Sequence, residues 1–425
     1  MDNLLAYGVV ILLIIVLSLM LNEKYIRKAN EIVILIVSII IGIFLNVFIK
    51  IGLLGATGEV METITHFSLD KVLLDGILCF MLFTGASELK LTSLVHNITP
   101  ISLLALLTTV ISSAVYGLLF WGATSLLGFN FGFEICFLLG AIVSPTDPIA
   151  ATAILNKMGL TKNVTAIMEG ESLFNDGTGV ALFIFIKNLI LDTEKTNFFV
   201  VMGKELFGAI LVGIVISFLC SLLIKMTIDP VKHIIISIMA VSACYVICDA
   251  LGFSGVIASV VCGIYFSTMM DRYKARKQDL DPNDYYKDFW SVVDKIFNYV
   301  LYVMIGLSFV FVTRINHILI IAIAAIVFNF VARYVGVFIS LLISKQCPDG
   351  YHDGPLTLLM TWSGLKGGLC LALAMSAREY LYTETYDFIL FVTFVTILFT
   401  TIVQGLSVGR LYGYLKQKYR HEEAE

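Results

Sequence analysis

The stretch GESLFNDGTGVALF (residues 170–183) places two carboxylates, Glu171 and Asp176, in a long apolar run. Ser172 lies three residues before Asn175 and four before Asp176, so these three share one face of a helix. Glu171 is turned by about 100° from Ser172 and should face a neighbouring helix as a structural ion-pair partner. Burial disfavours the charged form of a carboxylate, so Asp176 can exchange a proton for a cation near neutral pH. The alternative for Asp176 is a buried acid with a structural role only.

The preceding apolar run carries a further acid between two prolines. Residues 138–155 read LLGAIVSPTDPIAATAIL, with Pro145 and Pro148 on either side of Thr146 and Asp147. Each proline lacks a backbone N–H and clashes with the preceding helical turn. Carbonyl groups are therefore freed, and they can bind a small cation together with the Thr146 hydroxyl and the Asp147 carboxylate. The alternative is a kinked helix whose lower half is capped by Asp147, but two prolines around an acid favour an ion site.

A lysine stands in the middle of a third apolar run, TWSGLKGGLCLALAM at residues 361–375. Glycines at positions 364, 367 and 368 weaken the helix around Lys366. If this helix and the one containing residues 145–148 both unwind and cross in mid-membrane, positive and negative half-helix ends meet there. We expect Asp147 to balance the positive ends and Lys366 the negative ends. The alternative, a lysine that reaches to the membrane interface, conflicts with its mid-run position.

The elements that must position these residues are membrane-spanning helices. The chain has 425 residues, of which 59% are hydrophobic and 14% charged, whereas a soluble protein has roughly a quarter charged residues. Runs of about 20 apolar residues, enough to cross a bilayer, predict an all-α polytopic membrane protein with about 13 transmembrane helices. We interpret the first span as retained, because it starts acidic and lacks a small-residue cleavage site. The predicted spans are residues 4–21, 32–50, 69–89, 100–127, 133–157, 164–191, 199–225, 231–249, 252–270, 286–313, 316–344, 355–378 and 384–412.

Basic residues are distributed unequally between the two ends of these spans. With the N-terminus outside, the inner connections and the C-terminal residues hold 18 of the 28 Lys and Arg, and the outer connections hold 6. Cytoplasmic connections of membrane proteins are enriched in Lys and Arg. The predicted location is therefore the cell membrane, with the N-terminus outside and the C-terminus in the cytoplasm.

A weak internal repeat relates the two halves of the chain. SIIIGIF at residues 38–44 matches SVVCGIY at 259–265, and Gly85 in FTGAS matches Gly306 in IGLS, both at an offset of 221 residues. The offset pairs helices 2 and 9 and helices 3 and 10, an odd shift that gives the second copy the opposite orientation. We predict an inverted repeat of helices 1–6 and 8–13, with helices 5 and 12 broken and crossing, and with substrate bound near the midplane.

We predict a single transmembrane transport domain over residues 1–425. Repeat one covers about residues 1–191, a linking helix about 199–225, and repeat two about 231–412, followed by a short cytoplasmic tail at 413–425. The eight cysteines show no CxxC pair or metal-ligand spacing with histidine. No nucleophile–base pair stands out either, so the sequence predicts neither a cofactor, nor an enzyme, nor a nucleic-acid partner.

The three motifs together resemble the signature helices of the sodium/hydrogen exchanger family, the monovalent cation:proton antiporters. They are SPTDPIAATAIL, GESLFNDGTGVALF and GLKGGLCLALAMS, and DFWSVVDKIFNYVLYVMIGLSF at residues 288–309 is similar to the family's tenth helix. The likeness runs from about residue 32 to residue 410. It implies a prokaryotic-type member without the large cytoplasmic regulatory region of other members, because about a dozen residues follow the last span.

The resemblance implies a set of ion-site residues. Asp176 is similar to the family's ion- and proton-binding carboxylate, with Asn175 supporting the site beside it. Thr146, through its backbone carbonyl, and Asp147 and Ser172 resemble the remaining ion-site residues. Transient sodium binding is accordingly expected at Asp176, Thr146 and Ser172.

The resemblance also implies a structural charge network. Glu171 is similar to the acid that pairs with an arginine of the eleventh helix, matched here by Arg333 in FVARYVGVF. Asn298 fits the family's tenth-helix asparagine. Lys366 departs from the pattern, because the family usually has arginine at its position in the twelfth helix.

The activity implied by the resemblance is secondary active exchange of sodium for protons, through one carboxylate site with alternating access. The resemblance also implies that the protein works as a homodimer in the lipid membrane. A bundle of about six helices would carry the site and move against the others. Exchange is expected to be electroneutral, since Asn175 precedes Asp176 where electrogenic members tend to have two adjacent acids. Lithium or potassium are alternative cations.

Two other classes of transporter are less compatible with the residues. A cation channel would line a continuous pore with polar groups. The internal repeat and the two predicted broken helices argue against a channel. An anion or organic-solute carrier should have basic or aromatic residues at the breaks in place of two acids.

Overall fold

The computed structural model of the protein describes residues 2–51, 76–89, 91–128, 131–191, 198–276, 282–307, 318–344 and 353–422. All regular elements within these ranges are helices. The beginning of the predicted third span (residues 69–75) and the end of the tenth (residues 308–313) lie outside the described residues.

Each predicted span corresponds to one helix or to a pair of half-helices. A short additional helix, Leu91–His96, joins the third span to the fourth. The helices are α1 (Asp2–Leu21), α2 (Asn30–Ile51), α3 (Leu78–Glu88), α4 (Ile98–Leu126), α5a (Phe133–Val143), α5b (Ile149–Lys157), α6 (Lys162–Ile190), α7 (Phe198–Lys225), α8 (Pro230–Leu251), α9 (Gly255–Arg276), α10 (Pro282–Leu307), α11 (Ile318–Ser344), α12a (Asp353–Trp362), α12b (Gly368–Ser376) and α13, which runs from Thr383–Leu398 through the π-helical turn Phe399–Gln404 into Gly405–Glu422.

The helices have the length and composition of membrane spans. Among the described residues, eight helical segments are long and apolar enough to cross a bilayer, and four apolar helices are shorter. An apolar helix needs about 20 residues to span the hydrocarbon core. The chain is a multi-pass membrane protein, and the predicted all-α fold is confirmed.

Two helices are interrupted near their middle. Residues 144–148, between α5a and α5b, and residues 364–367, between α12a and α12b, are not helical. In the first segment, Pro145 and Pro148 supply no backbone N–H to a helix. In the second, the backbone at Gly367 is extended, with φ −106° and ψ −167°. Both breaks fall where the sequence predicts them.

The two breaks lie against each other. The backbone N–H of Asp147 donates to the carbonyl oxygen of Leu365 at 2.8 Å. A Cβ added to Gly367 would lie 2.9 Å from Cβ of Asp147, so a side chain at position 367 would force the two segments apart. Glycine at this position is therefore required for the close approach of the two broken helices.

Helix packing follows the same pattern in both halves of the chain. α2 packs against α10 and α3 against α9, so the helices related by the 221-residue offset form equivalent pairs. In the same way, α4 packs on α5a and α11 on α12a. These pairs are the ones that a repeat of helices 1–6 and 8–13 requires, and the inverted orientation of the second copy stays a prediction.

The C-terminal helix continues past the predicted end of the last span. The sequence predicts a separate tail from residue 413, whereas α13 extends to Glu422. Tyr412 and Leu415, three residues apart on one helix face, are both buried. The helix is therefore continuous across residue 413, and the cytoplasmic tail from that residue stays a prediction.

Candidate cation site

Asp147 lies in the unwound segment just before α5b. Its Oδ1 accepts a hydrogen bond from the backbone N–H of Ile149 at 3.0 Å. The carboxylate therefore lies at the positive end of this half-helix, where a negative charge is stabilised. Asp147 also lines a cavity at the crossing of the two broken helices, so one residue both caps α5b and faces the space in which an ion can bind.

Ser172 and Asn175 attach the unwound segment to α6. The Ser172 hydroxyl donates to the carbonyl oxygen of Thr146 at 2.7 Å. Nδ2 of Asn175 donates to Thr146 Oγ1 at 2.8 Å, and the Thr146 N–H donates to Asn175 Oδ1 at 3.4 Å. The two α6 residues point to the same neighbour, as their predicted common face requires. The Thr146 carbonyl retains a second lone pair for a cation.

Asp176 faces a cavity of about 320 Å³ at the meeting point of the two broken helices. The cavity is also lined by Asp147, Thr146 and Ser172, so the structure brings four of the five predicted ion-site residues to one space. The fifth, Asn175, is fully buried behind it. No described residue donates a hydrogen bond to the Asp176 carboxylate, which leaves it available for an ion or a proton.

Three acids that the sequence analysis did not single out line the same cavity. They are Glu88 of α3, Glu169 of α6 and Asp294 of α10. Among the described lining residues there is no Lys, Arg or His. A cleft lined by charges of one sign concentrates ions of the opposite sign, so this cavity attracts cations.

The Glu171 and Arg333 side chains form a buried ion pair between α6 and α11. Arg333 Nη2 lies 2.6 Å from Glu171 Oε1, and the two side chains are 4% and 3% exposed. Glu171 Oε1 also accepts a hydrogen bond from Asn175 Nδ2 at 3.5 Å. The contact expected from the resemblance is present, directly behind the ion-site face of α6.

Lys366 contacts the end of α5a. Its Nζ donates to the carbonyl oxygens of Ser144 at 3.1 Å and Pro145 at 3.3 Å. The side chain is 2% exposed, so it does not reach to a membrane interface. It contacts carbonyls just after the last turn of α5a, where a positive charge is favourable, and it is not among the residues that line the cavity.

Asn298 is placed differently from the expected charge network. Its Nδ2 donates to the carbonyl oxygen and to Oδ2 of Asp294, at 3.1 and 3.0 Å. Both of these hydrogen bonds reach one turn back along α10, and neither involves Glu171, Arg333 or Lys366. Asn298 thus orients a cavity acid, and its place in the structural charge network stays a prediction.

Comparison with protein families places the whole chain. The sequence model of the transmembrane region of the sodium/hydrogen exchangers matches residues 9–412. The chain belongs to the sodium/hydrogen exchanger family. The members of this family are transporters, and the resemblance of the three motifs is confirmed over nearly the whole chain.

Individual members of the family resemble the chain along most of its length. The Na(+)/H(+) antiporter NhaP of Pseudomonas aeruginosa is 27% identical over 397 residues, 92% of each chain. The low-affinity Na(+)/H(+) antiporter NhaS1 of Synechocystis is 31% identical over 340 residues, which cover 77% of this chain and 61% of that protein. The solved structure of the sodium proton antiporter MjNhaP1 of Methanocaldococcus jannaschii matches with a TM-score of 0.73 at 21% identity, covering 97% of this chain and 98% of that one. This exchanger-family chain therefore shares its fold with a solved antiporter.

Proposed function

We propose that the protein exchanges sodium for protons across the cell membrane, one for one, at a single site containing Asp176. The cavity carries this proposal: two acids meet at the crossing of two broken helices, and the described lining is acidic without a basic residue. Similar family members are named sodium/proton antiporters, which supports sodium as the cation.

The oxygen atoms around Asp176 suit a small monovalent cation. The Ser172 hydroxyl uses its hydrogen for Thr146 O at 2.7 Å, so its lone pairs are available as ligands. The Thr146 carbonyl and the carboxylates of Asp176 and Asp147 add further oxygen ligands of the kind that hard cations prefer. A proton on Asp176 removes the negative charge that holds the cation. Sodium and proton therefore compete for one carboxylate, which couples the two fluxes.

One-for-one exchange is expected because the residue next to Asp176 in the sequence is uncharged. Asn175 carries no charge, and its amide is engaged with Thr146 at 2.8 Å. Only one carboxylate at this point of α6 therefore releases a proton when one cation binds. The cycle then moves no net charge across the membrane.

The orientation predicted from Lys and Arg supports a cavity that faces the cytoplasm. With the N-terminus outside, α3 runs inward and ends at Glu88, while α6 and α10 run outward from the cytoplasmic side. Glu169 and Asp294 lie in the first halves of these two helices. The three acids thus form a cytoplasmic mouth that collects cations.

Alternating access would move the site-bearing helices against the others. The broken helices α5 and α12 pack with α4, α6, α11 and α13, and we assign these six to the moving bundle. Many side chains of α1 and α8 are exposed and apolar, which suits contact with lipid and with a second copy in a homodimer. The repeated helix pairs support the inverted-repeat design that such transporters use.

Proton movement in proteoliposomes tests the proposal. Purified protein is reconstituted with a pH-sensitive dye, and sodium, lithium or potassium is added in turn. We expect saturable, sodium-dependent proton movement whose rate does not follow an imposed membrane potential. A potassium-selective response would favour potassium/proton exchange, unsaturable cation flux without protons would indicate a channel, and a rate that follows the potential would contradict one-for-one exchange.

A further inference from the structure

The C-terminal part of α13 lies against the turn at which α5b ends. Tyr412 is 2% exposed, and its hydroxyl donates a hydrogen bond to the carbonyl oxygen of Gly159 at 3.2 Å, across 253 residues of sequence. One helical turn later, Lys416 Nζ donates to the carbonyl oxygen of Met158 at 3.3 Å. The Lys416 ammonium also lies 5.7 Å from the centre of the Tyr412 ring. Two consecutive carbonyl groups are thus held by one face of α13.

The backbone at the end of α5b leaves these carbonyl groups in need of partners. Gly159 has a left-handed conformation with φ +84°, and the N–H of Leu160 donates back to Leu155 O at 3.0 Å. This is the usual geometry of a glycine-terminated helix. The carbonyls of Met158 and Gly159 come after the last helical residue, so α5b has no donor for them. The negative end of the half-helix also favours a nearby cation.

Side-chain packing extends this contact along α5b. A Cβ added to Gly409 would lie 3.0 Å from Met158 Sδ and 3.2 Å from Ile154 Cγ2, so the two helices are in close contact one turn before Tyr412. Tyr414, two residues beyond Tyr412, is 66% exposed. One face of α13 therefore packs on α5b, and Tyr414 lies on another.

The opposite end of α5b belongs to the cation site. α5b has nine residues, so its ends are only about 13 Å apart. Its first N–H, from Ile149, holds Asp147 at 3.0 Å, and Thr152 and Asn156 line the cavity. So short a helix has little stability of its own. Loss of the contact at Gly159 should therefore loosen the whole half-helix, including the turn that holds Asp147.

We infer that Tyr412 and Lys416 are positioning residues for the cation site. By holding the C-terminal end of α5b, they fix the place of Asp147 in the cavity and so set its affinity for cations. This inference rests on the proposed exchange function. The helix beyond residue 412 is then part of the transport machinery and not a passive tail.

Replacing the Tyr412 hydroxyl tests the inference with a matched control. Tyr412→Phe removes only the hydrogen bond to Gly159, while Tyr414→Phe removes a hydroxyl from an exposed residue of the same helix. We expect Tyr412→Phe to raise the half-saturating sodium concentration about three- to tenfold, the effect of one ordinary hydrogen bond, with the maximal rate nearly unchanged. Tyr414→Phe should match the parent. Equal half-saturation in the two variants, or a loss of maximal rate alone, would overturn the inference.

Hydrogen exchange at the amides of residues 149–160 supplies a readout that does not depend on the transported ion. We expect faster exchange in this segment in Tyr412→Phe than in Tyr414→Phe, because the half-helix opens more often. Unchanged exchange would overturn the positioning role. The parent could show no sodium-dependent proton movement while Tyr412→Phe still speeds hydrogen exchange in this segment. That result would uphold the positioning role and refute the proposed sodium/proton exchange.

Lys416 should act in the same direction and more weakly. Its side chain is exposed, and solvent screens the charge of an exposed ammonium group. Lys416→Arg should keep the parental half-saturation, and Lys416→Gln should raise it by less than Tyr412→Phe does. An equal effect of both Lys416 variants would contradict a role for the positive charge.

Discussion

Two buried cations near the break have different partners, and this difference defines their roles. Arg333 is paired with a carboxylate at 2.6 Å, whereas Lys366 contacts two backbone carbonyls at 3.1 and 3.3 Å. The Thr400 hydroxyl of α13 accepts a hydrogen bond from the backbone N–H of Lys366 at 3.1 Å, and the Thr401 hydroxyl donates to the Lys366 carbonyl oxygen at 3.4 Å. The lysine is thus held from both sides, and its charge compensates the negative end of α5a.

Substitution of Lys366 tests whether its ammonium group keeps its charge during transport or gains and loses a proton. If the ammonium only compensates a helix end, Lys366→Arg should stay active with a pH profile of unchanged shape. A void of about 10 Å³ beside Lys366, lined also by Ser112, Asn329 and Arg333, offers a small part of the room that a guanidinium needs. Lys366→Met should lose at least about tenfold in rate, because the carbonyls lose a charged donor worth roughly 1.5–3 kcal/mol. The pH dependence of sodium/proton exchange is the measurement, and loss of the alkaline limb in Lys366→Arg would make Lys366 a titrating participant.

The site residues that sequence could identify are those whose spacing lies within one helix. Ser172, Asn175 and Asp176 share a face by their intervals alone, and Glu169, three residues before Ser172, could have been found by the same rule. Glu88 and Asp294 could not, because they come from other helices whose rotation is decided by packing. The contact of Asn298 with Asp294 lies within one helix, four residues apart, so spacing could have predicted it.

At the scale of elements, the Glu171–Arg333 pair joins the site helix α6 to α11. Both side chains are almost fully buried, so removing one partner leaves a charge without compensation. Such a loss costs roughly 3–5 kcal/mol. We expect Glu171→Gln and Arg333→Ala each to lower the thermal stability of the purified protein, and the double variant to lose less than the sum. Melting curves of the four proteins provide the test, and fully additive losses would show that the two residues do not interact.

The broken helices were predictable, and the extent of α13 was not. Pro145, Pro148 and Gly367 mark the breaks in the sequence itself, because proline and glycine act on the local backbone. The span ending at residue 412 was delimited by apolar residues alone. Beyond it the sequence GYLKQKY is amphipathic, and Leu415 continues the buried stripe to which Tyr412 belongs. Their partner, the end of α5b, lies far away in the sequence and could not be foreseen.

At the scale of the whole molecule, one acidic cavity reaches the crossing of two broken helices in a multi-pass fold of the exchanger family. Asp176 is the residue of that cavity on which we propose that the coupling of sodium to protons depends. Its carboxylate accepts no hydrogen bond from a described residue, and neighbouring oxygen atoms can act as cation ligands. Neutralising this one carboxylate should therefore stop exchange without unfolding the protein.

The most direct test is sodium-dependent proton movement in proteoliposomes that contain purified Asp176→Asn, beside the parent and Glu205→Gln. Glu205 is a buried acid of α7 that does not line the cavity, so its variant controls for the loss of a buried charge. We predict exchange in the parent and in Glu205→Gln, and only background proton movement in Asp176→Asn, with the melting temperature and gel-filtration profile of Asp176→Asn unchanged. Robust sodium-dependent proton movement by Asp176→Asn would contradict the assignment of Asp176 as the shared binding site.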